Sequence, residues 1–154
     1  MRLKSALRRG VAAAVIAGIV VSSGIPAYAA RWDIANGDIT VKAGDEGTNR
    51  VTQGEKENVE DTDTVITGES KEHTVIIDTS KGNVDVTFDD LKIDVSDKDD
   101  GDDGSGHGGK AAVRFEGNGD ATIELDGDNE LNSGSANAGL EKDGHRSEGP
   151  LTIK

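Results

Sequence analysis

The sequence predicts an all-β fold, a solenoid of about four short stacked coils, and three observations carry the prediction. First, a strand pattern is stated and then restated: Val84-Asp-Val-Thr-Phe88-Asp89-Asp90-Leu-Lys-Ile93, and Ala121-Thr-Ile-Glu-Leu125-Asp126-Gly127-Asp-Asn-Glu-Leu131. In each, an apolar residue at every second position is closed by an acidic turn, and period-two alternation marks a half-buried strand. Second, related strands recur at one interval, 27 residues from Ala111 to Ala138 and 28 from Ile123 to Leu151. The 37 residues from Val84 to Ala121 fit once an insertion is removed, because Val95 to Ala111 takes 16 residues where Leu131 to Ala138 takes 7. Third, beyond residue 29 the only aromatics are Trp32, Phe88 and Phe115, there are 21 glycines in all, and cysteine is absent. A thin-cored, turn-rich β architecture suits that composition better than a helical bundle. A coil that cannot bury its own apolar row must stack on the next. Short strands closely spaced would also suit an antiparallel β-sandwich, the alternative fold.

Residues 1–29 read as a secretory signal. Arg2, Lys4, Arg8 and Arg9 precede the apolar run Val11 to Val21, and Gly24 and Pro26 lead to Ala27-Tyr28-Ala29, an A-x-A site that places Ala30 at the mature N-terminus. The run falls short of the roughly 20 residues that span a bilayer. The leader carries four of the 17 basic residues and none of the 30 acidic ones, so the remainder has 13 against 30, a net charge of −17. That field repels phosphate backbones and anionic membranes and attracts cations, so neither nucleic acid nor, after cleavage, a membrane is the expected partner.

Residues 30–63 read as a lead-in with a strand at Asp38 to Lys42, then a polar loop from Gly44 to Asp63 without a dependable period. The repeats occupy 64–154. Thr64 to Thr67 and His73 to Asp78 are β-branched runs ended by turn residues. Strands 84–88 and 91–95 follow, and the three-residue step from Phe88 to Leu91 shifts the buried phase and locates a corner at Asp89-Asp90. After the insertion come strands at 111–115, at 121–125, around Leu131, at 138–142 and at 151–154. The last strand leaves an open row of backbone donors and acceptors, which implies a truncated copy of a longer solenoid or self-association through that coil.

The acidic loop 96–110 concentrates the chemistry. Asp99, Asp100, Asp102 and Asp103 on a Gly-rich segment are hard oxygen ligands of the kind calcium takes. Their spacing fits neither an EF-hand nor a G-G-x-G-x-D repeat: with Gly104 as the sixth position, the third is Gly101 and the twelfth Lys110. A solvated acidic loop is the competing reading. Asp89, Asp90, Asp126 and Asp128 fall at corresponding corners of neighbouring coils, where Lys92 would relieve repulsion in the first, and they read as solvated turns rather than a ligand site. Asn118, Asn129 and Asn132 read as structural turn residues. His73, His107 and His145 lack paired spacing, and Ser105 and Ser147 lie in no nucleophile elbow. Arg114 alternates outward and reads as a charge partner rather than a catalytic base. No catalytic residues are expected; the enzymatic alternative is a calcium-dependent polysaccharide lyase.

The run Val113-Arg-Phe-Glu-Gly117, Ala121 to Leu131, Ala138-Gly-Leu-Glu-Lys142 and Gly149-Pro-Leu-Thr-Ile153 resembles the bacterial secreted carbohydrate-binding domain-containing family. The match extends from about Thr64 to Lys154. The resemblance implies a right-handed parallel β-helix similar to pectate lyases, located at the cell surface or secreted, binding polysaccharide such as cellulose or acidic sugars, with bound calcium and without catalysis. With Phe88 and Phe115 in the inward phase, Trp32 is the one mature aromatic left to offer a stacking face to sugar.

Overall fold

The computed structural model describes residues 29–98, 109–142 and 148–154. Among these residues it is all-β, with twelve strands in two six-stranded sheets and a single 3-10 turn at Ile34–Asn36. The strands are β1 (Arg31–Asp33), β2 (Ile39–Ala43), β3 (Asn49–Gln53), β4 (Lys56–Asp61), β5 (Thr64–Ser70), β6 (Val75–Asp78), β7 (Val84–Asp94), β8 (Val113–Glu116), β9 (Ala121–Asp126), β10 (Glu130–Asn132), β11 (Leu140–Lys142) and β12 (Leu151–Ile153). The chain passes back and forth between the sheets. One runs β1-β5-β7-β9-β12 with β10 also on β7, and every pair in it is parallel. The other runs β11-β8-β6-β2-β3-β4 and is parallel up to β2, after which β3 and β4 add antiparallel.

The alternation places the core. Val84, Val86 and Phe88 point inward, then Leu91 and Ile93 do, and the phase changes at Asp90, whose φ of 51° turns the strand where the sequence predicts its corner. Both halves stay within β7, the first pairing with β9 and the second with β10. Inward side chains stack in register from strand to strand: Ile66, Phe88 and Leu125 in one sheet, Val41, Ile77 and Phe115 in the other. Each fully buried member contributes about 1.5–3 kcal/mol of transfer free energy.

Two registers agree with the sequence intervals, Val84 on Ala121 and Val113 on Leu140, the latter 27 apart. Leu151 pairs with Ala121 rather than Ile123, a shift of two that keeps its facing. Close backbone approach of Gly149 to Gly119, and of Gly119 to Gly82 and Thr79, accompanies this register. A Cβ on Gly149 would run into the Gly119 carbonyl, and one on Gly119 would come within 2.7 Å of the Thr79 carbonyl oxygen.

The strand expected at Asp38 to Lys42 is present as β2, whereas the expectation of a loop from Gly44 to Asp63 needs correction. Residues 31–43 form a full layer that pairs with β5 and β6, and Gly44 to Asp63 contains the β3–β4 hairpin. The hairpin escapes a hydropathy reading because three of its inward residues, Asn49, Gln53 and Asp61, are polar or charged. Asn49 donates to Thr64 Oγ1 and the Asp85 carbonyl at 2.9 and 2.7 Å, and Gln53 donates to the carbonyls of Asp33 and Gly37 at 2.6 and 3.0 Å. Buried amides satisfied this way stand beside the fully buried Val51. Those bonds tie β3 to the opposite sheet, so the hairpin closes that end of the core.

Candidate functional site

The predicted calcium ligands Asp99, Asp100, Asp102 and Asp103 lie outside the described residues. The flanks of their loop are described. Lys98 Nζ stands 3.8 Å from Glu72 Oε1, and the Gly134 N–H donates to the Lys110 carbonyl at 2.9 Å. Among the described residues, no three His, Asp or Glu side chains are grouped to hold a metal ion.

Beside the start of that loop, an open groove of about 350 Å³ runs across the ends of β5, β7 and β10. Pairing in register builds its floor. Glu69 lies opposite Lys92 and Lys92 opposite Glu130, while Asp94 lies opposite Asn132. Neighbouring strands are about 4.8 Å apart, so the groove presents charged and amide groups as rungs along the stacking direction. Lys92 carries one positive charge between two carboxylates, and Lys71 adds a second cation at the rim. Asp94 is held below the usual carboxylate range, first by the Ser96 hydroxyl, which donates to Oδ1 at 2.6 Å, then by the Ser96 N–H at 3.2 Å, with Lys71 adding a weaker pull. The groove therefore sets a hydrogen-bonded carboxylate beside the ammonium groups of Lys71 and Lys92.

The corner residues are brought together as the sequence predicts, with different partners. Asp89 lies opposite Asp126, and the Asp128 N–H donates to Asp90 Oδ1 at 2.9 Å. Asn129 bridges the two layers: its Oδ1 accepts the Leu91 N–H and its Nδ2 donates to the Asp126 carbonyl, both at 2.9 Å. The cation at Asp89 is Arg31, from the first strand, and not Lys92, which belongs to the row of Glu69 and Glu130. Arg114 meets Glu141 at 3.8 Å across β8 and β11, a charge partner as expected. His73 Nδ1 lies 3.6 Å from Asp38; His107, His145, Ser105 and Ser147 are outside the described residues.

Trp32 does not offer a stacking face. It is 3 % exposed, and its Nε1 donates to Asp61 Oδ2 at 2.7 Å. With Phe88 and Phe115 also buried, no described aromatic faces solvent. Asp61 itself is wholly buried; its Oδ1 also accepts the N–H groups of Ala30 and Asp63 at 3.0 and 3.2 Å. Burial pushes its carboxyl up from the ordinary value, against the opposing pull of these donors.

Glu69, Lys71, Asp94 and Glu130 carry no motif in the sequence. They become a set only when Lys92 is known to pair with residues 23 before it and 38 after it, a register set by the corner at Asp90 and the insertion. Comparison of the chain with protein-family models, curated proteins and solved structures found no match. Among the described residues, no helix is long and apolar enough to cross a membrane.

Proposed function

We propose that this chain is a secreted, non-catalytic polysaccharide-binding protein, folded as a right-handed parallel β-helix, that holds a glycan strand along the groove between β5, β7 and β10. The observation that carries this reading is the in-register row Glu69, Lys92, Glu130 beside Asp94 and Asn132. Regularly spaced carboxylate, ammonium and amide groups can exchange hydrogen bonds with successive hydroxyls of a linear polymer. With no exposed aromatic among the described residues to stack a sugar ring, affinity rests on those bonds. Neutral chains such as cellulose fit directly; an acidic polymer needs a cation between its carboxylates and Glu69, Glu130 or Asp94. The loop that bears Asp99, Asp100, Asp102 and Asp103 begins two residues past the groove-lining Asp94, and we assign calcium to it as the bridging cation.

Retention on cellulose and pectate, each with calcium and with chelator, tests the reading. The triple variant E69A/K92A/E130A is expected to lose at least about tenfold in affinity for the retained polymer while keeping its melting temperature. Retention unchanged by the triple variant removes the groove from the proposal, and pectate retention unchanged by chelator removes calcium. Growth of unsaturated-uronate absorbance on pectate would replace binding with lyase chemistry.

A second reading, self-association through the coil of β11 and β12, is favoured by Leu125 and Ile153. These inward-row residues are 45 % and 50 % exposed, whereas the opposite end of the core lies under the β3–β4 hairpin. Two copies would then meet through the same end and form a closed dimer. Light scattering that gives a monomer at high concentration ends this reading.

A further inference from the structure

The cleavage bond assigned by the leader pattern is the Ala29–Ala30 peptide, and the nitrogen on its far side is already placed against a buried carboxylate. Ala30 N lies 3.0 Å from Asp61 Oδ1; Ala30 is 5 % exposed and Asp61 0 %, while Ala29 is exposed. Ala30 is held from its other side as well, since its carbonyl accepts the Val65 N–H at 3.1 Å. We propose that removal of residues 1–29 turns the Ala30 amide into an α-ammonium that forms a buried ion pair with Asp61, so that processing completes the closed end of the fold. The inference rests on the secretory reading above and adds a structural role for the mature N-terminus.

The chemistry is hydrolysis by the signal peptidase of the export machinery, acting before the chain folds. Water's oxygen joins the Ala29 carbonyl carbon and the C–N bond breaks. Ala29 leaves as a carboxylate, and the Ala30 nitrogen keeps its own hydrogen and takes both of water's. No other reactant is needed.

Electrostatics makes the difference between the two forms large. In the precursor, Asp61 is buried among neutral donors: the N–H groups of Ala30, Asp63 and the Trp32 ring. A buried carboxylate without a counter-charge is strongly destabilising, and its charge-compensated form is not. Other charges nearby are engaged elsewhere or face away. Arg31 pairs with Asp89, Asp33 caps Ala35, and Arg50 pairs with Asp45 and Glu60. Lys56 lies on the Trp32 ring, 5.7 Å from its centroid, Asp63 is exposed, and the register neighbour of Asp61 is the neutral Asn49. The site therefore has room in its charge balance for one cation, and the mature N-terminus supplies it.

Protein exported with its own leader tests this, beside a version with one extra alanine inserted between Ala29 and Ala30. The insertion keeps the total charge and the Ala30 N–H but moves the ammonium one residue out. Intact mass identifies each N-terminus, and NMR follows the α-amino group. The Ala30-terminated form is expected to titrate well above the ordinary α-amino value and to melt on the order of 5 °C higher at neutral pH. A raised ammonium pKa contributes stability that is complete below the ordinary value and is lost as pH rises through the folded one, so the gap should close at alkaline pH. D61N should abolish the gap; if D61N does not fold, the inserted-alanine comparison still decides. A mass that starts elsewhere than Ala30 overturns both the cleavage reading and this inference. The right mass with an ordinary α-amino titration, or equal melting of the two forms, overturns this inference alone and leaves secretion standing.

Discussion

Phe88→Ala and Leu125→Ala form a matched pair of perturbations, because the two residues are register neighbours in one inward row and differ in what covers them. Phe88 lies between Ile66 and Leu125 and is 0 % exposed; Leu125 is 45 % exposed. Truncating an enclosed phenylalanine costs about 3–5 kcal/mol, the lost transfer free energy plus an unfilled cavity. Truncating Leu125 forfeits about half of a full burial and opens no closed cavity, so about 1 kcal/mol is expected. Urea denaturation followed by circular dichroism reads both. With a slope of about 2 kcal/mol per molar, the midpoint should fall by about 2 M for Phe88→Ala and about 0.5 M for Leu125→Ala. Equal losses would refute the reasoning, since Leu125 would then be covered in solution. A loss below about 2 kcal/mol for Phe88→Ala would do so too, because the row would not enclose its ring.

Three further outcomes follow from the corners and the groove. Gly119→Ala should destabilise by about 1–3 kcal/mol in the same assay, because a Cβ there meets the backbone carbonyls of Gly82 and Thr79 and neither can move without shifting a strand. Asn129→Ala should cost about 1–3 kcal/mol by leaving the partly buried Leu91 N–H unpaired; hydrogen exchange at that amide should rise with it. Ser96→Ala should raise the Asp94 pKa toward the ordinary carboxylate value in an NMR titration, since the hydroxyl is the main cause of its depression. For a depressed carboxyl the contribution to stability is present above the unfolded value and lost as pH falls through the folded one, so the variant should lose less stability than the parent at acid pH.

By itself the sequence determined the β class, the strands near 38–42, 64–67 and from His73 onward, the corner at Asp89-Asp90 and the registers of β7 on β9 and β8 on β11. Apolar side chains at period two leave one low-energy facing, and a one-residue slip would expose the whole row. It also separated the acidic insertion from the repeat, because the nine extra residues account for the interval of 37 against 28. The β3–β4 hairpin, the burial of Trp32 and the groove were decided only by the tertiary structure. Asn49 and Gln53 read as loop residues until Thr64, Asp85, Asp33 and Gly37 receive their amides, and Trp32 reads as exposed until Asp61 accepts its N–H from 29 residues away. Glu69, Lys92 and Glu130 are ordinary surface charges until parallel pairing lines them up. Hydropathy records the preference of each side chain for water, whereas a buried polar group is stabilised by a partner that only the folded chain brings within reach.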